Sequence, residues 1–288
     1  MTTRAEAATK AGVLTEALPY IRSYRGRTLV AKIGGQALDD PQLAAMVAED
    51  LALLSIVGIR VVVVHGGGPQ ISEAMTAAGI SPTFVQGLRV TDEASMDLVR
   101  RVLVGSINAD LVARLGRAGC HAVGISGGDG RVLIGEKKPG PDGEDLGRVG
   151  TIASIGTELI ETLLDQGYMP VLSSVAVDPD GGALNVNADE VAGAVAAALR
   201  AAKLVYLTNV EGLYRDFGAA DSLVSELKAG ELEAMLADLS AGMRPKAASA
   251  VAALRGGVEK VHILDGRVAH AVLLEIFTED GIGTQVLP

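Results

Sequence analysis

Apolar residues fall along this chain in short unbroken runs separated by longer amphipathic stretches, and the two alternate almost from end to end. The runs at 28–33, 60–64, 121–125, 169–174, 203–208 and 260–264 mark strands covered on both faces, as in a parallel sheet held between helices. Helical periodicity fills the intervals near 41–57, 69–79, 92–117, 156–166, 188–200 and 244–255. This βαβα order predicts an α/β fold, a three-layer αβα sandwich with a mostly parallel central sheet. Shorter extended pieces around 131–134, 147–149 and 182–186, with the Asp180-Gly181 turn, predict hairpins at one edge. Before Arg25 the chain has few breakers, and Leu14, Leu18 and Ile21 share one face of an amphipathic helix that no sheet strand requires. The expected organisation is an oligomerisation helix over 1–25, a first lobe over 26–200 and a second over 201–288.

Composition narrows the partners. Apolar residues make up 49% of the 288 and aromatic ones only 3%, so Ala, Val and Leu must build the core. A formal charge of −10 argues against nucleic acid or anionic membrane as the main partner, and there are too few rings for stacking on bases. No charge-free apolar run approaches the roughly 18 residues of a membrane span. Met1–Glu6 lacks the apolar stretch of a secretory signal, so a cytoplasmic protein is expected. The lone Cys120 allows no internal disulfide and reads as a small buried hydrophobe.

Candidate chemistry gathers where strands end in glycine. Lys32-Ile33-Gly34-Gly35 closes the first run, and His65-Gly66-Gly67-Gly68-Pro69 closes the second. Without a Cβ, backbone N–H groups can crowd around an oxyanion, and the helix that follows adds its dipole. With the charge of Lys32, the two stretches read as halves of one anion site and point to phosphate chemistry on a small molecule. No Gly-Lys pair exists to make a Walker A loop, and no G-x-G-x-x-G follows a strand. Asp216-Phe217-Gly218 imitates a protein-kinase element but lacks the H-R-D loop, and the four histidines have no metal-ligand spacing.

Four further segments carry usable side chains. Arg89 precedes a helix for which Thr91 is the expected N-cap, and its guanidinium can clasp a carboxylate through two parallel bonds. Asn187 with Glu190 fits a capping-box variant, Asp189 complements the helix dipole, and Asn185 precedes that helix with a side chain free to reach a cleft. Pro245 suits the first helical position, which puts Lys246 in the first turn against the dipole; a bound phosphate would resolve that conflict. Leu207–Tyr214 follows a strand, where loops of open α/β sheets line ligand crevices, and reads as a nucleotide contact. Taken singly, each has a bland alternative, such as a strand-end lysine whose stem packs while its ammonium stays wet.

In this order K-I-G-G, H-G-G-G, G-L-R-V-T, N-V-N-A-D, L-T-N-V-E-G and G-M-x-P-K resemble the amino acid kinase family, from about Thr28 to Pro288. The resemblance implies ATP, with Mg²⁺ carried by the nucleotide, and is greatest to the branch that phosphorylates the side-chain carboxylate of N-acetyl-L-glutamate in arginine biosynthesis. By motif, Lys32 and Lys246 would stabilise the migrating phosphoryl group and Asp189 would orient them. Gly67, Gly68, Arg89 and Asn185 would bind the acceptor. Gly34, Gly35, Thr208, Asn209, Gly212, Leu213 and Tyr214 would contact ATP, and no residue is assigned to a metal. The N-terminal helix and residues 266–284 resemble the arginine-inhibited members, which implies a homo-oligomer, a dimer and then a hexamer as a trimer of dimers. L-arginine would bind as effector, with Glu275 on its guanidinium and His270, Gly281 and Gly283 lining the pocket. A nitrogen-signalling protein is a further candidate partner. Two alternatives stay open: another carboxylate or carbamate kinase of this fold, or a catalytically silent arginine-binding regulator.

Overall fold

The computed structural model describes residues 3–34, 40–215, 222–278 and 281–288, without the side chains of residues 4–10 and 13. Helix α1 (Arg4–Tyr24) leads into β1 (Thr28–Ile33), α2 (Pro41–Ile56), β2 (Arg60–His65) and α3 (Gly68–Ala77). A small hairpin, β3 (Phe84–Val85) and β4 (Leu88–Arg89), precedes α4 (Glu93–Arg100), a π-helical segment (Arg101–Asn108) and α5 (Ala109–Arg117). Next come β5 (Ala122–Ile125), β6 (Leu133–Lys137), β7 (Val149–Ile155), α6 (Glu158–Asp165), β8 (Met169–Ser173), β9 (Val175–Val177), β10 (Ala183–Val186) and α7 (Ala188–Ala198). The remainder holds β11 (Lys203–Thr208), β12 (Leu213–Tyr214), β13 (Leu223–Val224), β14 (Glu226–Lys228), α8 (Ala229–Met235), α9 (Arg244–Arg255), β15 (Val261–Asp265), α10 (Ala271–Phe277) and β16 (Thr284–Leu287).

The main sheet runs β14-β16-β15-β11-β1-β2-β8-β5, parallel throughout except where β15 meets β16. β1 lies between β2 and β11, so strands from both sides of residue 200 meet in one sheet. Strand side chains alternate between faces, and this alternation sorts the core. Val30, Val62, Val64, Leu204 and Tyr206 pack under α7 and α9, while Leu29, Ala31, Ile33, Val61 and Val63 pack under α2, α5 and α10. Lys32 shares the parity of Val30, which sends it to the face that α7 and α9 cover.

Three local expectations are corrected. The extended pieces do pair as hairpins, β6 with β7 and β9 with β10 around Gly181, but not at an edge of the main sheet: the four strands close into a separate small sheet in the order β10-β7-β6-β9. The helix expected over 92–117 is not uniform, because residues 101–108 widen into a π-helix. Asp92, not Thr91, caps α4, accepting the Ser95 N–H at 2.8 Å. Thr91 is buried and donates its hydroxyl to Arg89 O at 2.7 Å.

Helices α7 and α9 approach through Gly193, where an added Cβ would fall 2.2 Å from Ser249 Oγ. Gly193→Ala is therefore expected to push the two helices apart and lower stability by about 1–3 kcal/mol. An unchanged urea midpoint would refute that tight contact.

Candidate active site

The alternation of β1 delivers Lys32 beneath the N-termini of α7 and α9, and these bring the other two charges. Asp189, in the first turn of α7, meets Lys32 Nζ at 2.8 Å through Oδ1 and Lys246 Nζ at 2.7 Å through Oδ2. All three side chains are buried. Burial pushes the Asp189 carboxyl up, but the two ammonium groups outweigh it and hold its pKa at about 2 instead of 3.8. Burial lowers the pKa of Lys246, and Lys32 adds to that against the pull of Asp189.

Packing beneath the triad leaves it little freedom. Tyr206 on β11 donates its hydroxyl to Ser249 Oγ at 2.8 Å, and Ser249 donates to Asp189 O at 2.6 Å. Lys246 Nζ stands 5.3 Å from the Tyr206 ring centroid, a cation–π contact. Asp189 thus relieves the dipole conflict foreseen at Lys246 before any phosphate arrives. Pro245 sits one place later than expected, since α9 starts at Arg244.

Residue Glu190 does not complete a capping box. Asn187 caps α7 through Asp189 N (2.8 Å), but Glu190 turns to the smaller sheet, accepting from Ile152 N (2.8 Å) and the Thr151 hydroxyl. Adjacent carboxylates on one helix therefore serve different sheets.

A cavity of about 840 Å³ opens above Lys32 and Lys246. Gly34, Thr208, Asn209, Gly212, Leu213 and Tyr214, expected as nucleotide contacts, all line it; Gly35 lies outside the described residues. Sequence reasoning missed the far wall, Met235, Asp238, Leu239, Ser240, Gly242 and Met243. The local signal there was Gly242-Met243 at the start of G-M-x-P-K. Arg244 ties that wall down by donating to the carbonyls of Leu236, Ala237 and Leu239.

The expected acceptor residues meet on the other side of the glycine turn. Arg89 is buried, donating from Nη2 to Gly68 O (2.9 Å) and Ser72 Oγ (2.8 Å), with its guanidinium carbon 4.7 Å from the Phe84 ring centroid. No carboxylate pairs with it among the described residues. Asn185 Nδ2 donates to Thr91 Oγ1 at 3.1 Å, which links it to the Arg89 strand. A Cβ at Gly67 would collide with Ile107 and Leu103, whereas Gly68 faces open space.

The expected effector residues divide. Glu275 is buried, accepting from Ile282 N at 2.9 Å and lying 2.5 Å from His262 Nδ1, with Gly281 against its carboxylate. His270 turns instead to Asp50 on α2, 2.6 Å away, and Gly283 is pressed against Ile263 O. Besides His262, Lys203 and Tyr24 are further residues not anticipated near Glu275. Lys203 is buried 5.1 Å from the ring centroid of Tyr24, at the end of α1, with no hydrogen-bonding partner among the described residues. Burial brings its pKa down to about 8, against the pull of Glu275.

One spacing suggests a hydrolase elbow, Gly124-x-Ser126-x-Gly128. Ser126 Oγ donates to Asp129 Oδ2 at 2.9 Å within a turn and has no histidine partner among the described residues.

Comparison with known proteins comes down on the same chemistry. The sequence profile of the amino acid kinase family matches residues 27–265. The chain is 50% identical to an acetylglutamate kinase from Acidothermus cellulolyticus over 97% of both chains. It is 48% identical to one from Methanocaldococcus jannaschii over 96% of both. Among solved structures, N-acetylglutamate synthase from Neisseria gonorrhoeae, complexed with coenzyme A and N-acetyl-glutamate, superposes with a TM-score of 0.87 at 33% identity. That match covers 96% of this chain and 63% of the synthase. Carbamate kinase from Giardia lamblia bound to AMP-PNP shares the fold at 16% identity, with a TM-score of 0.66 over 91% of this chain and 98% of its own.

Asp189→Asn removes the bridging carboxylate and leaves two buried ammonium groups, a change expected to cost about 3–5 kcal/mol near neutral pH in a denaturant titration. Because the folded-state pKa is depressed, this advantage of the wild type is complete above about pH 4 and is lost as the pH falls toward 2. A difference independent of pH would remove the carboxylate charge as its origin.

Proposed function

The chain belongs to the amino acid kinase family, and from that premise we propose that it transfers the γ-phosphoryl group of ATP to the side-chain carboxylate of N-acetyl-L-glutamate, a step of arginine biosynthesis. The observation that carries the reading is one buried carboxylate, Asp189, holding two lysine ammonium groups at the floor of a nucleotide-sized cavity.

The acceptor explains what the site omits. A glutamate side chain has a pKa of about 4.3 and is already an anion at neutral pH, so no general base is needed. The obstacle is repulsion between carboxylate and phosphate, and phosphoryl transfer is served by positioning and charge neutralisation. Lys32 and Lys246 supply two positive charges against the single negative charge of Asp189, leaving a net positive site for the migrating group. A bond forms from the acceptor oxygen to the γ-phosphorus, the bond to the β–γ bridging oxygen breaks, and ADP leaves with that electron pair. Arg89, buried without an acidic partner among the described residues, holds the α-carboxylate, with Gly67, Gly68 and Asn185 around the remainder.

The cavity takes ATP against Gly34, Gly35 and the 208–214 loop. Among the described residues no group of three or more His, Cys, Asp or Glu side chains converges as a cage, and Asp189 is occupied by lysines. Mg²⁺ would come with the nucleotide, where it offsets phosphate charge. ATP-dependent hydroxamate formation tests the assignment: N-acetyl-L-glutamate should react and free L-glutamate, carbamate donors and L-aspartate should not. Equal rates with free glutamate would overturn it.

The same reading includes feedback by L-arginine in a homo-oligomer built through α1, whose Leu14 and Leu18 are 70% and 44% exposed. Glu275 is a ready partner for a guanidinium, and the ammonium of Lys203, over the Tyr24 ring and without a hydrogen-bond acceptor among the described residues, for an α-carboxylate. Gly281 and Gly283 shape this end of the fold, with His270 at the start of α10. Deletion of residues 1–25 should retain turnover and abolish arginine inhibition in initial-rate titrations; inhibition that survives the deletion would refute this role for the helix.

A further inference from the structure

His65 ends β2 and has no solvent exposure, yet it is not among the residues that line the cavity. Its Nδ1 lies 3.1 Å from Gly66 O and its Nε2 3.0 Å from Asn108 Nδ2. The same Asn108 nitrogen donates to Val171 O on β8 at 2.9 Å. A carbonyl only accepts, so that face of the amide must be its NH₂ group, and His65 Nε2 must then accept as well. The one proton of the neutral ring is left on Nδ1, where it donates to Gly66 O. Burial, with the Lys32 charge adding to it against the Gly66 carbonyl, lowers the ring's pKa to about 4, so it stays neutral through the physiological range.

The π-helical segment closes on the same turn from outside. Asn108 is its last residue, and Leu103 and Ile107 of the same segment occupy the space a Gly67 side chain would need, 2.9 and 2.2 Å from its Cβ. Departures from α-helical winding of this kind recur at functional sites. The turn then passes its position to Arg89, whose Nη2 is held by Gly68 O at 2.9 Å.

We propose that His65 and Asn108 are positioning residues: a buried brace that sets the Gly66–Gly68 turn, and through it Arg89, in the geometry that receives the acceptor. The proposal rests on the acceptor reading above and adds to it the residues that hold the acceptor's site in shape from behind.

Two substitutions separate this from a merely structural role. In His65→Asn the side-chain amide can donate to Gly66 O from the place of Nδ1, whereas in His65→Gln the amide takes the place of Nε2 and abandons Gly66. His65→Asn is expected to keep KM for N-acetyl-L-glutamate within about threefold, and His65→Gln to raise it about tenfold or more, with KM for ATP moving less than about twofold in either. Equal acceptor KM values in the two variants, or a rise shared with ATP, would overturn the brace. The tautomer is read separately, without substrate, from two-bond ¹H–¹⁵N correlations of the wild-type imidazole. A proton on Nδ1 is required; one on Nε2 overturns the proposal even if neither variant folds. Should the wild-type enzyme ignore N-acetyl-L-glutamate, the acceptor reading fails, and the brace is judged by the tautomer alone.

Discussion

A single carboxylate shared by two lysines is the contact on which the rest of this molecule is arranged. Lys32 comes from the middle of the sheet, Asp189 from one helix and Lys246 from another, so the triad joins three elements far apart in the chain. Bringing three charges out of water is costly unless each is paired and fixed. The fold meets that requirement from below, through Tyr206 and Ser249, and from the side, through the close approach at Gly193. The result is a rigid positive site with one charge in excess, suited to a group that carries negative charge as it moves.

Glycines around the site turn out to serve two different purposes. Gly68 faces open space, as a residue that presents its backbone to a ligand should. Gly67 packs against the Leu103 and Ile107 side chains of the π-helical segment, Gly34 approaches Leu207 O, and Gly212 sits where a Cβ would fall 2.4 Å from Thr284 Oγ1. These three are close-packing glycines as much as cradle glycines. A motif such as H-G-G-G therefore carries both the opening to the ligand and the fit to the scaffold behind it.

Two carboxylates, one expected in a helix cap and one in an effector pocket, are drawn to partners elsewhere in the fold. Glu190 gives up a local cap to bond β7, tying the smaller sheet to the helix that carries Asp189. Glu275 is held by His262 and Ile282 N, and both His262 and Lys203 favour its ionised form against the cost of burial. For Glu190 a long-range partner offers more than the nearest backbone group, which is why local pattern alone misplaces it.

Much of this could be read without coordinates. Apolar runs gave six of the eight strands of the main sheet, α9 begins and ends where its periodicity does, and the parity of Lys32 with Val30 already assigns it to one face. Those features follow from backbone geometry, which repeats every 2 or 3.6 residues and so leaves its mark in the order of side chains. What only the folded chain decided are the encounters between distant segments: Asp189 with both lysines, Asn108 with His65, the far wall of the cavity, and the closure of the small sheet. The widening of the helix at 101–108 belongs there too, since its advantage is contact with a turn more than thirty residues earlier. Such choices depend on packing and on the pairing of buried polar groups in three dimensions, and neither has a period along the chain.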